Sequence, residues 1–118
     1  MGVHLTDADT AESTAGVVRL LSRAAELAWA HADTQGPGSP RQLLALGIDL
    51  AADEARSLLP DAINLDGPVP VGADPAGLLR SAEQLLRRLC VAGAPARLHN
   101  LRARVVELVW EANSGAGS

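Results

Sequence analysis

The sequence predicts an all-α four-helix bundle, built as one domain over residues 1–118. Three observations predict it. Apolar residues recur at helical spacing in four separate stretches. Glycine and proline punctuate the boundaries between them, and two stretches open on a capping residue followed directly by proline. With 47% apolar and 20% charged residues, the chain has enough apolar surface to build a packed core.

The first helix is expected over about 10–32. Val17, Leu20, Leu21, Ala24, Leu27, Ala28 and His31 fall on one face. Val18, Ala25 and Trp29 widen that face, enough for contact with two neighbouring helices. Asp7, Asp9 and Glu12 place negative charge near the helix start, where the helix dipole favours it.

Thr34 to Gly38 breaks this pattern, and a second helix is expected over 40–59. Ser39 reads as its N-cap, Pro40 as its first helical residue and Gln42 as the partner in a capping box. Its apolar positions are Leu43, Leu44, Leu46, Ile48, Leu50, Ala51, Ala55, Leu58 and Leu59, ending near Pro60.

Between residues 61 and 74 the periodicity collapses. Asn64, Gly67, Pro68, Pro70 and Gly72 oppose regular helix, and proline biases Val69 towards extended backbone. Most connections in compact domains are about 4–6 residues long, so this one is unusually long. At about 3.3 Å per residue it can reach back along a whole helix. The second and third helices are therefore either antiparallel neighbours or joined by a crossover, and the order of packing across the 61–74 loop stays open.

Asp74 and Pro75 repeat the cap-plus-proline start for a third helix over 75–91. Leu78, Leu79, Ala82, Leu85, Leu86, Leu89 and Cys90 form its stripe, with Leu85 expected in the core. Glu83 and Arg87 stand four apart in the favourable order. Gly93 suits the residue just past the helix end, and Pro95 opens a fourth helix over 95–112. So short a link predicts an antiparallel hairpin. The fourth helix carries Leu98, Leu101, Val105, Leu108 and Val109, with Val106 and Trp110 beside them, and residues 113–118 read as a frayed tail. Pro40, Leu43, Leu44 and Leu50 recur thirty-five residues on as Pro75, Leu78, Leu79 and Leu85. A shared way of starting a helix accounts for this echo more simply than a repeat present in only two copies.

Composition narrows the function classes. Phe and Tyr are absent and Trp29 and Trp110 are the only aromatics, which disfavours sites that stack sugars, bases or flat cofactors. All non-histidine basic residues are arginine, a bias typical of GC-rich bacterial genomes. A net charge of -4 repels a phosphate backbone, so no nucleic acid is expected as partner. Cys90 is alone and excludes an internal disulfide, which fits a cytoplasmic protein. The N-terminal residues lack a basic flank and an apolar run, and no apolar stretch approaches the roughly 20 residues that span a bilayer.

Reactive groups do not converge. None of His4, His31 and His99 has a ligand-type residue three or four positions away on the same face of an expected helix, the spacing that metal sites in bundles use, so neither metal nor cofactor is expected. His31 extends an apolar face near a helix end, a structural position. Cys90 continues the Leu86 stripe and behaves as a small hydrophobe; Arg87 and Arg88 favour its thiolate, while the nearby helix C-terminus opposes it. Asp49, Asp53 and Glu54 fit a solvated face better than a cation site. The segment from Gly67 to Gly72 lacks the residues of a phosphate-binding loop. A helix-turn-helix would need a polar recognition helix, and the fourth helix is strongly apolar along one stripe.

Charge is unevenly distributed. Residues 1–66 carry ten acids against four arginines, and residues 75–118 carry six arginines against three glutamates. Opposite halves attract within a bundle, and they also steer association with a partner. Together these features point to a non-enzymatic helical interaction module that forms a homodimer or binds a protein partner. Val18, Trp29, Val106 and Trp110, apolar positions beside the main stripes, are its candidate interface. The alternative is a regulatory bundle that holds a small molecule between helices near Trp29 or Trp110, closed by the long loop.

Overall fold

The computed structural model of the chain describes residues 7–33, 40–58, 74–93 and 96–115, with side chains over 12–32, 42–58, 74–93 and 96–113. Among these residues there are four helices and no strand: α1 (Asp7–Asp33), α2 (Pro40–Ser57), α3 (Pro75–Val91) and α4 (Ala96–Gly115). The all-α bundle expected from periodicity is the fold.

The local signals locate the helices closely. Asp74 takes extended backbone (φ -82, ψ 167), and its carboxylate accepts from the Gly77 N–H at 2.8 Å, so the cap-plus-proline start of α3 forms as expected. At the other end, the Ala92 N–H donates to the Arg88 carbonyl at 3.1 Å and the Gly93 N–H to the Cys90 carbonyl at 3.2 Å. Gly93 has φ +91, a conformation that a residue without Cβ adopts freely. The acids expected ahead of α1 are part of it, because the helix already begins at Asp7. The frayed tail expected from 113 does not start there: Asn113, Ser114 and Gly115 continue α4, and residues 116–118 lie outside the described residues. Ser39, the expected cap of α2, lies outside the described residues, as do His4 and the loop glycines and prolines between 61 and 73.

Cross-helix contacts establish how the four helices are arranged. Trp29 on α1 reaches Asp49 on α2, and Ser22 reaches Arg56, so α1 and α2 are antiparallel. Gly47 on α2 lies against Leu108 on α4, and Glu54 pairs with Arg104 at 3.0 Å, so α2 and α4 are antiparallel too. Glu83 on α3 faces Arg102 on α4 across the short turn, closing the expected antiparallel hairpin. Gly16 of α1 packs near Leu85 of α3. Among the described residues α1 does not pack on α4, nor α2 on α3; these two pairs are the diagonals of the bundle. The order around the bundle is α1, α2, α4, α3. It follows that α2 and α3 run in the same direction, and the end of α2 lies at the opposite end of the bundle from the start of α3. The open question about the 61–74 connection resolves in favour of the crossover.

The core is aliphatic. Its largest fully buried side chains include Leu21 and Val17 from α1, Ile48 from α2, Leu79, Leu86 and Leu89 from α3, and Leu101 and Val105 from α4. Leu85 is half-buried rather than central, because it points sideways at α1. The contribution of α2 is unlike the others. Apart from Ile48, its buried positions among the described side chains are alanines: Ala45, Ala51, Ala52 and Ala55. Small side chains let α2 sit close to both neighbours, and a Cβ on Gly47 would come within 2.9 Å of Leu108 Cδ2.

Candidate interaction surface

Helix α2 has two apolar faces. One is the alanine face that enters the core. The other consists of Leu43, Leu46 and Leu50, at 67%, 47% and 52% exposure. Their spacing of three and four residues makes one continuous strip along the outside of the helix. All three belong to the apolar set that periodicity marks on the second helix, and their exposure is a departure from a single buried stripe. The departure has a physical cause. A helix with apolar residues on most of its circumference has more than one face able to enter a core, and neighbours are accommodated closest where the side chains are smallest.

The four candidate interface residues separate. Val18 is 1% exposed and belongs to the core, so it is not part of any surface. Its stripe on α1 is wide because α1 packs against both α2 and α3. Trp29 is half-buried against the core, with its indole N–H directed at Asp49. Trp110 and Val106 are at the surface of α4, at 71% and 43% exposure. They belong to a run of exposed positions, Ala96, His99, Ala103, Val106, Trp110 and Asn113, at alternating spacings of three and four, and none of these residues is an acid or an arginine.

This strip on α4 is turned towards the α3 side. By helical rotation, Val106 and Trp110 lie on the flank nearer Arg102, which reaches Glu83, and away from the flank holding Arg104, which reaches Glu54. The leucine strip of α2 and the tryptophan strip of α4 are thus separate features. Beside the leucines, the flank of α4 carries Arg104, Glu107 and Glu111, all exposed.

Surface ion pairs frame these strips. Arg56 pairs with Asp53 at 3.3 Å within α2, and Arg87 with Glu83 at 3.2 Å within α3, as the four-residue spacing suggested. Glu83 is largely buried and also receives Arg102 at 3.6 Å, so one carboxylate joins both helices of the hairpin. Asp49 and Asp53 are exposed, as a solvated face requires, whereas Glu54 is half-buried and pairs with Arg104. His31 lies exposed in the last turn of α1, His99 is exposed on α4, and Cys90 is half-buried on α3. Among the described residues no three His, Cys, Asp or Glu side chains cluster as a metal site, and no helix is long and apolar enough to cross a membrane.

The chain is therefore an antiparallel four-helix bundle with one lengthwise crossover and an uncovered leucine strip. No protein-family model, curated protein or solved structure matches it.

Proposed function

We propose that this chain is a non-enzymatic, cytoplasmic interaction module that works by docking protein on the outer face of α2. The observation that carries the reading is the exposed strip of Leu43, Leu46 and Leu50. Burying one leucine side chain is worth roughly 1.5–3 kcal/mol. Covering three of them supplies several kcal/mol towards association, against the entropy lost when two bodies join. An apolar helix face with anchors at this spacing is a recurrent mode of helix recognition. The composition agrees, because catalytic constellations draw on grouped reactive side chains and this chain's histidines and cysteine are scattered.

The test places a photo-crosslinking residue at position 46 in the cells that make the protein, with position 84, exposed on α3, as control. A discrete adduct from position 46, lost when Leu43 and Leu50 are both changed to Glu, is the expected result. Absence of any adduct at position 46, or an adduct indifferent to those changes, overturns the reading.

A further inference from the structure

We infer that the outer face of α2 and α4 is covered by a second copy of this chain, turned about a two-fold axis perpendicular to the helices. The inference rests on the interaction-module reading and names its partner. It is carried by how charge is distributed along the two helices.

On α2 the acids Asp49, Asp53 and Glu54 all lie in the second half, and the first half holds none. On α4 the arrangement is likewise polarised: Arg97, Arg102 and Arg104 occupy the first half, Glu107 and Glu111 the second. Consider a two-fold axis that crosses α2 between Leu46 and Gly47. It lays α2 antiparallel on its counterpart. Leu43 then opposes Leu50 of the second copy, and the two Leu46 side chains meet at the centre. The acidic half of each α2 faces the acid-free half of the other, next to the positive end of the helix dipole.

The same axis serves α4. Gly47 lies against Leu108, so an axis beside Gly47 passes α4 close to Leu108. Positions on either side of that point exchange, and Arg104 faces Glu111 of the second copy. One operation thus makes both helices complementary to themselves, with the leucines enclosed between the charged ends. A parallel pairing would instead bring the acid-bearing halves of the two α2 helices together, which like charges oppose. An isologous interface of this kind closes on itself and stops at two copies.

Sedimentation equilibrium on the purified chain tests this, with helicity followed by circular dichroism. The expected mass is twice the 12.2 kDa of the monomer. Leu46→Glu returns it to monomer with helicity unchanged, and Leu50→Gln, a milder change at an exposed site, weakens the dimer in the same direction. Glu111→Arg sets two arginines against each other and weakens dimerisation roughly tenfold. Adding Arg104→Glu to that variant restores it, with Glu54→Gln alongside because Arg104 pairs with Glu54 of its own chain at 3.0 Å and a glutamate there would otherwise meet a like charge. A mass that stays at 12.2 kDa up to about 1 mM, where even weak association is populated, overturns the inference. So does a dimer that ignores the Leu46 and Leu50 changes, or one that yields only to Trp110→Glu. A monomer that still crosslinks from position 46 to a different protein would sink the second copy and leave the interaction-module reading standing.

Discussion

The indole Nε1 of Trp29 donates to Asp49 Oδ2 across 3.3 Å, joining α1 to α2 at the edge of the core. Trp29 thereby keeps its ring against aliphatic side chains and its N–H at the wet margin. Trp110, by contrast, stands out from α4 into solvent.

The two tryptophans should therefore report different environments. Trp110→Phe leaves Trp29 alone and should give bluer emission, poorly quenched by acrylamide. Trp29→Phe leaves the exposed ring, with redder emission and strong quenching. Asp49→Ala should lower stability by about 0.5–1.5 kcal/mol through the lost hydrogen bond. Denaturant titration of the Trp110→Phe background measures it, and equal quenching of both single-tryptophan variants would contradict the assignment.

The start of α3 depends on the Asp74 cap. Its carboxylate is 2.8 Å from the Gly77 N–H and satisfies one donor of the first turn. Asp74→Ala should cost roughly 0.5–2 kcal/mol, and Asp74→Ser, which keeps a capping oxygen, clearly less. Thermal or chemical denaturation of the two variants checks the order.

Leu85 and Leu86 are neighbours with unequal roles. Leu86 is fully buried, and Leu86→Ala should cost roughly 2–5 kcal/mol, with a cavity left behind. Leu85 is half-buried between α3 and α1, so Leu85→Ala should cost less, because part of its surface already meets water. A larger loss at Leu85 than at Leu86 in urea titrations would mean that the facing of α3 is wrong.

Gly16 offers a stabilising change. It sits inside α1, where glycine is costly, and a Cβ there would lie 3.4 Å from Leu85 Cδ1. That is an ordinary van der Waals separation. Gly16→Ala should raise stability by roughly 0.5–1 kcal/mol by lowering the entropy of the unfolded chain. A fall in the denaturation midpoint would show that α1 and α3 are closer than this spacing implies.

Local sequence by itself determined the helices. Caps, prolines and Gly93 act within a few residues of where they stand, so the extent of α3 and the turn into α4 were legible before any packing was known. Spacing also showed that every helix had an apolar face. It could not say which face turns inward. Pro40, Leu43, Leu44 and Leu50 read like Pro75, Leu78, Leu79 and Leu85, yet Leu78 and Leu79 are core while Leu43 and Leu50 are at the surface. The choice depended on partners distant in sequence: α2 has alanines on its opposite face, and α1 and α4 close in there because small side chains allow it. The same holds for the candidate surface. Val18 and Trp110 look alike as apolar positions beside a main stripe, but Val18 is enclosed because α1 has neighbours on two sides. The crossover is likewise non-local, since two helices joined by a long link can run either way. Only the contacts of α2 with α4, through Gly47 and Glu54, decide the direction.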